Sequence, residues 1–239
     1  MSTSSIHAVA RLLDTSTRLC VLTGAGVSAE SGIATFRDPD GLWARFSPYE
    51  LASMDGFLAN PDRVRDWYGY RRSIINSVEP NAGHTALADI EKLFGSNYTL
   101  VTQNVDRLHQ RAGSVRVLEV HGNIHENRCN DCGDIRTDDD LICPKCSGAM
   151  RPNVVWFGED LPEDVFAAAE EASRSCDVML VVGTSADVWP AAGLPMTAKM
   201  AGAQIVEINP NQTSLTPHAN HILSGTSAVV LPQLLEAMS

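Results

Sequence analysis

The sequence predicts an α/β fold, a doubly wound, Rossmann-like parallel sheet with a smaller lobe attached. Three observations lead there. Short, branched apolar runs recur along the chain, each is followed by a helical pattern or a glycine-rich turn, and two long stretches break that rhythm. Strands buried on both faces read as unbroken apolar runs, and their alternation with helices implies a parallel sheet.

The strand-like runs are Leu19–Leu22, Tyr98–Val101, Val117–Val120, Val178–Val182 and Gln204–Ile208. Helical patterns cover Thr85–Phe94, Asp164–Ser173 and Ala191–Met200. The interruptions are Phe36–Ser77, aromatic and arginine-rich with helical periodicity, and Gly122–Met150, which is polar, Asp-rich and cysteine-paired. Together they form the expected second lobe.

Composition narrows the function classes. At 239 residues the chain can bury a full core, and 44% hydrophobic with 20% charged residues is the balance of a globular protein. No apolar run approaches the roughly 18 residues that span a bilayer. The start Met1-Ser2-Thr3-Ser4-Ser5 lacks the basic and apolar regions of a secretory signal. A cytoplasmic protein with no membrane partner is expected. The net charge of −11 disfavours nucleic acid, which calls for a basic face, and favours basic polypeptide segments as partners.

Five groups of residues carry chemistry. Thr23-Gly24-Ala25-Gly26-Val27-Ser28-Ala29 follows a strand, where glycines permit a tight turn and bring a pyrophosphate close to backbone N–H groups. A dehydrogenase would place an acidic residue about 20 positions on, to hold a ribose. This chain runs instead into Gly32-Ile33-Ala34-Thr35-Phe36-Arg37-Asp38, which argues against hydride transfer. Thr102-Gln103-Asn104-Val105-Asp106-Arg107-Leu108-His109 also follows a strand, where open α/β sheets bind ligands. Its amide and carboxylate groups suit a ribose and a carboxamide, although Asn and Asp also cap helices. Glu119-Val120-His121-Gly122 ends the next strand with an imidazole suited to general-base work near neutral pH. His7, His84, His125, His218 and His221 have no comparable support. Later in the chain, Gly183-Thr184-Ser185 and Ile208-Asn209-Pro210 follow strands and can meet a nucleotide, while Val154-Val155-Trp156-Phe157-Gly158-Glu159 offers edge backbone and an apolar wall.

Cys129, Cys132, Cys143 and Cys146 form two Cys-x-x-Cys pairs separated by residues 133–142. Each pair can present two thiolates to a tetrahedral Zn²⁺, and four thiolates leave no open position, so one structural zinc is expected in a zinc-ribbon/helical lobe. Cys20 and Cys176 lie in apolar contexts and read as small buried residues.

Taken in order, these motifs resemble the sirtuins over about Leu19 to Val230. The spacer between the cysteine pairs is shorter than in longer family versions. The resemblance implies an NAD-dependent protein-lysine deacylase acting on acyl-lysine proteins or peptides, with NAD consumed, nicotinamide released and the acyl group left on ADP-ribose. It implies His121 as base. Asn104 would hold the ribose and its water, and Val105 and Asp106 the nicotinamide carboxamide. Gly24, Ala25, Gly26, Ser28 and Gln103 would belong to the cofactor site, with Phe36 closing over the reactive centre and Arg37 near the phosphates. Gly183, Thr184, Ser185, Asn209 and Ser227 would line the adenosine side. Val155 and Phe157 would wall the acyl-lysine tunnel, and Gly158, Glu159 and Val188 would lie beside substrate backbone. The chain then divides into an NAD-binding domain of residues 1–35, 78–121 and 151–239, a helical module of residues 36–77 with acyl-selectivity residues, and a zinc-binding module of residues 122–150.

Tyr68 and Arg71 stand one helical turn apart and share a face. They match the Tyr-x-x-Arg pair of sirtuins that accept succinyl- or malonyl-lysine, and a guanidinium fork suits a carboxylate-ended acyl group. The other readings of this sequence are a protein ADP-ribosyltransferase, a non-catalytic NAD or ADP-ribose sensor, and a zinc-ribbon nucleic-acid adaptor, the last opposed by the net charge.

Overall fold

A computed structural model describes residues 3–14, 17–35 and 47–238. Six strands form the main sheet: β1 (Leu19–Thr23), β2 (Tyr98–Thr102), β3 (Val117–Glu119), β7 (Val178–Val182), β8 (Gln204–Asn209) and β9 (His221–Ser224). Their order is β3-β2-β1-β7-β8-β9, and every pairing is parallel. The chain winds outward from β1 to β3, then returns beside β1 as β7 and winds the other way. The strand ends at β1 and β7 therefore flank a crevice where the winding reverses, the usual ligand position of such sheets.

The apolar runs are continuous because both sheet faces are covered. Successive side chains on a strand point to opposite faces. Leu19 and Val21 of β1, with Val178, Leu180 and Val182 of β7, join a core that includes Leu87 and Ile90 of α6 (Ala82–Phe94) and Val230, Leu231 and Leu234 of α10 (Ser227–Met238). Cys20 and Leu22, with Met179 and Val181, face a second core that includes Ala169 of α8 (Glu163–Ser175) and Ala198 of α9 (Leu194–Met200). Cys20 and Cys176 are both buried there.

The second lobe joins two chain segments. A three-stranded antiparallel sheet, β5-β4-β6, is built from β4 (Gly122–Cys129), β5 (Ile135–Arg136) and β6 (Met150–Val154). Helix α5 (Pro61–Ser77) begins at Asn60, whose side-chain oxygen accepts from the Arg63 N–H at 3.1 Å. Its buried face is Val64, Trp67, Tyr68, Arg71 and Ile75, a helical spacing. That face shares one core with Phe57 of α4 (Met54–Ala59), Ile124 of β4 and Trp156. Arg72 fastens helix to sheet by donating to the Ile124 and Glu126 carbonyls and, at 2.7 Å, to Asn127 Oδ1.

Sequence periodicity missed β4, β5, β6 and β9. Strand β4, GNIHENRC, carries alternating polar residues and an irregular register between Asn123 and Asn127, so it shows no apolar run. Strand β9 is short and only Leu223 in it is buried. The terminal helices α1 (Thr3–Ala10) and α10 were also not anticipated, while Ala191–Met200 divides into a 3-10 turn at Ala191–Gly193 and α9.

Candidate active site and metal centre

A cavity of about 710 Å³ opens along the C-terminal ends of β1, β2, β7 and β8 and runs toward the second lobe. Every described cofactor and substrate residue singled out from the sequence lines it. On the sheet side are Gly24, Ala25, Gly26, Ser28, Gln103, Asn104, Val105, Asp106, Gly183, Thr184, Ser185, Asn209, Ser227 and His121. Toward the lobe are Tyr68, Arg71, Val155, Phe157, Gly158, Glu159 and Val188. Phe36 and Arg37 lie outside the described residues.

The glycine turn is held by direct backbone packing against β7. The Gly26 N–H donates to the Gly183 carbonyl at 2.8 Å, and a Cβ on Gly26 would come within 2.8 Å of that same oxygen. Gly183 has φ of +59°, which a residue with a side chain adopts with strain. The two turns can thus approach closely enough to share one ligand crevice.

Beneath the turn lies a buried polar network. Ser28 Oγ donates to Asp106 Oδ2 at 2.7 Å and accepts from Asn104 Nδ2 at 3.2 Å. Asn104 Nδ2 also donates to the Gly24 carbonyl at 3.1 Å, which ties the second strand's loop to the first. Asp106 Oδ1 accepts the Leu108 N–H at 2.9 Å, so this carboxylate both closes the turn that leads into α7 (Leu108–Arg111) and lines the cavity. His84, which the sequence gave no reason to select, joins from below. Its Nδ1 accepts the Asn81 N–H at 3.3 Å, so its Nε2–H donates to Ser28 Oγ at 3.4 Å. His109 Nε2 lies 2.9 Å from Thr23 Oγ1, and the two imidazole centroids are 4.9 Å apart. Burial pushes His84 down to about 4, against the attraction of Asp106, and holds His109 well below the ordinary histidine value.

His121 stands at the end of β3. Its Nδ1 is 3.1 Å from the Gln103 carbonyl oxygen, so Nδ1 carries the hydrogen and Nε2 is left as the acceptor. Burial lowers its pKa, and the carbonyl contact opposes that shift. The chain can turn sharply after it because Gly122 has φ of +81°, where a Cβ would meet the Asn153 oxygen at 2.2 Å.

At the far wall, Gln103 Nε2 donates to Thr184 Oγ1 at 3.1 Å and Asn209 Nδ2 donates to the Thr184 carbonyl at 3.0 Å. Ser227 is buried, and its Oγ has no hydrogen-bond partner among the described residues. A buried hydroxyl on a cavity wall is satisfied when a ligand brings a partner.

The lobe side contains residues the sequence reading did not select: Trp67, Ala52 and Trp156 also line the cavity. The helical spacing of α5 already placed Trp67 on the face of Tyr68 and Arg71. Tyr68 and Arg71 are both buried. Burial pushes the Tyr68 phenol up to about 12, with Arg71 opposing, so it stays protonated at neutral pH. Glu159 is engaged within the chain: its carboxylate accepts from Arg151, and Oε2 accepts the Trp156 backbone N–H at 2.8 Å.

The metal centre is separate from this cavity. The sulfurs of Cys129, Cys132, Cys143 and Cys146 all lie within 4.8 Å of one another, with Cys129 to Cys146 at 3.4 Å and Cys132 to Cys143 at 3.6 Å. Tetrahedral Zn–S bonds of about 2.3 Å set sulfurs about 3.8 Å apart, so the cluster fits a structural zinc.

Comparison with known proteins agrees with this geometry. The Sir2 family model matches residues 24–190. The NAD-dependent protein deacylase of Aquifex aeolicus is 50% identical over 209 residues, covering 84% of this chain and 87% of its own. NAD-dependent protein deacylase 2 of Pyrobaculum aerophilum is 47% identical over 234 residues, covering 95% and 94%. Among solved structures, a Sir2 homologue–NAD complex superposes with a TM-score of 0.89 at 42% identity, covering 100% of this chain and 94% of that one. A Sir2 protein bound to a myristoylated histone peptide gives 0.78 at 34% identity, covering 99% and 97%. With the sheet order, the crevice at the winding reversal and the four-cysteine cluster all in place, the chain belongs to the Sir2 family.

Proposed function

We propose that this protein is an NAD-dependent protein-lysine deacylase that transfers the acyl group to ADP-ribose and releases nicotinamide. The observation that carries the reading is His121, fixed by Gln103 with Nε2 as acceptor, in one cavity with the Gly24–Gly26 turn and the Ser28–Asn104–Asp106 network. Relatives named NAD-dependent protein deacylase, at 47% and 50% identity over most of both chains, support the NAD-dependent deacylase part of it.

The cavity suits NAD: its volume lies within the roughly 300–1,000 Å³ typical of ligand sites, and Ser227 offers an orphaned buried hydroxyl on its wall. When bound, NAD would supply an electrophilic ribose carbon to the acyl oxygen, with nicotinamide as the leaving group. The Gly24 to Gly26 turn receives the pyrophosphate, and Gly183, Thr184, Ser185, Asn209 and Ser227 receive the adenosine half. Asn104 and Asp106 enter the site already hydrogen-bonded through Ser28, so they need not reorganise to hold the ribose and the carboxamide. His121 Nε2 takes a proton from a ribose hydroxyl, and the Gln103 carbonyl steadies the imidazolium that results. Val155 and Phe157 wall the acyl-lysine tunnel, and Gly158, Glu159 and Val188 lie along substrate backbone.

The acyl group proposed is one ended by a carboxylate, succinyl or malonyl, with acetyl accepted less well. Arg71 and Tyr68 place a cation and a protonated phenol, both buried, on the lining of the same cavity. A buried guanidinium favours an anionic acyl end over an apolar chain.

The test is to follow acyl loss and nicotinamide release together on acetyl-, succinyl- and malonyl-lysine peptides, each with and without NAD. Nicotinamide release matched by acyl loss is expected. Nicotinamide release with ADP-ribose found on protein would instead indicate ADP-ribosyl transfer, and binding without turnover would indicate a sensor.

A further inference from the structure

The sequence placed Trp156 in an apolar wall without giving it a role of its own, yet it makes the one hydrogen bond to the Tyr68 hydroxyl found among the described residues. Its indole Nε1 donates to the Tyr68 oxygen at 2.9 Å, and it is 2% exposed. A phenol has one hydrogen to donate, and an indole N–H is a donor only. The Tyr68 hydrogen therefore cannot be directed at Trp156.

No acceptor among the described residues takes it either. Arg71, one turn along α5, has donors alone, and so does the Trp67 indole, whose ring meets the Tyr68 ring edge-on at 4.8 Å. Glu159 is close enough to influence the phenol but accepts no hydrogen bond from it; its carboxylate faces Arg151, Arg128 and the Trp156 backbone N–H. The hydrogen is left for whatever enters the cavity. The Tyr68 hydroxyl and the Arg71 guanidinium then both present donors on this part of the lining, an arrangement matched by a carboxylate and unmatched by a methyl.

The indole is held firmly enough to impose this. The Arg151 guanidinium lies 4.0 Å from the Trp156 ring centroid, and Arg151 is itself pinned by Asn130 Oδ1 at 2.8 Å and by Glu159. Phe57 packs on the ring at 5.4 Å between centroids. Neither Arg151 nor Phe57 lines the cavity, so the clamp acts from outside it.

We propose that Trp156 is a positioning residue for acyl selectivity: its N–H occupies the Tyr68 oxygen as an acceptor and so commits the phenol hydrogen to a carboxylate-ended acyl group. This rests on the acidic-acyl reading above and adds to it a residue that tunes the pair without itself binding the carboxylate.

Trp156→Phe keeps an aromatic ring against Arg151 and removes the donor together with the second ring of the indole. The quantity to measure is kcat/KM on succinyl-lysine peptide divided by that on acetyl-lysine peptide, because general losses of fold or cofactor binding cancel in it. One neutral hydrogen bond corresponds to roughly a three- to tenfold fall in this ratio, carried mainly by KM for the succinyl peptide. In a Tyr68→Phe background, which has no hydroxyl to orient, adding Trp156→Phe should leave the ratio where Tyr68→Phe put it. Equal losses on both peptides, or a further fall in the double variant, would overturn the proposal. Arg71→Met measured alongside separates the two readings. A collapsed ratio there with an unchanged ratio in Trp156→Phe overturns the role of Trp156 alone, whereas an unchanged ratio in Arg71→Met overturns both. Should Trp156→Phe fail to fold, the indole ¹H–¹⁵N resonance of Trp156 in the unmutated protein replaces it. Succinyl-lysine peptide should move that resonance more than acetyl-lysine peptide does, and equal shifts would overturn the proposal.

Discussion

His121 Nδ1 and the Gln103 carbonyl oxygen are 3.1 Å apart, and this contact fixes which imidazole nitrogen can take a proton. The two residues end adjacent strands, β3 and β2, so the sheet itself sets the tautomer. His121→Ala should lower deacylation about 10²- to 10⁴-fold, the usual contribution of a general base. Circular dichroism and zinc content should stay as in the parent. A folded variant with most of its activity would remove His121 from the mechanism.

Burial lowers the His121 pKa, so the base form should persist below the ordinary histidine value of about 6.5. The kcat/KM profile is expected to be level through neutral pH and to fall only on the acid side of that value. An acid limb centred above it would contradict the neutral, buried imidazole.

Stability should also depend on pH, through His84 and His109. Burial depresses both pKa values in the folded protein, His84 to about 4. As pH drops through about 6.5 the unfolded chain binds protons at these positions while the folded chain does not, which favours unfolding. The melting temperature should therefore fall between about pH 6.5 and about pH 4, with no contribution from this pair above about pH 7. His109→Asn should make the slope shallower, which separates it from acid release of zinc. An equal slope in parent and variant would contradict the assignment.

These dependences show where sequence reading succeeds and where it stops. The strands carrying the site were legible because burial on both faces leaves apolar runs such as Val178–Val182, and because chemistry gathers at their C-terminal ends. The glycine turn, His121 and the cysteine pairs were legible as spacings. His84 was not, because its value to the site arises from α6 packing under Ser28, a contact between residues far apart in sequence. Trp156 was not for the same reason: it meets Tyr68 only once β6 and α5 share a core. Strand β4 was hidden because Ile124 is its one aliphatic residue and its other positions are glycine, polar or cysteine, so no apolar run or alternation shows.

The four sulfurs are spaced for one ion, and Cys143 is the more enclosed of the second pair. Metal analysis should find one zinc per folded chain. Because a structural zinc contributes its binding free energy to folding, Cys143→Ala should lower the melting temperature, solubility and activity together. Well under one zinc in a properly folded preparation would refute the site.

Arg71→Met should cut kcat/KM on succinyl-lysine peptide roughly tenfold to a hundredfold, since hydrogen bonds to charged groups are worth about 1.5–3 kcal/mol. The loss on acetyl-lysine peptide should be smaller, because acetyl has no carboxylate to meet the guanidinium. Tyr68→Phe should shift the ratio the same way but less. Equal losses on both peptides would make Arg71 a structural residue of α5.

The central claim is that acyl removal consumes NAD at the His121 site, and one measurement addresses it directly. Purified protein is incubated with succinyl-lysine peptide and NAD, and nicotinamide and deacylated peptide are quantified over the same time course, with His121→Ala in parallel. Equal molar amounts of the two products are predicted, with neither formed when NAD is omitted and both nearly lost in His121→Ala. Deacylated peptide formed without NAD, or nicotinamide released with no deacylated peptide, would contradict it.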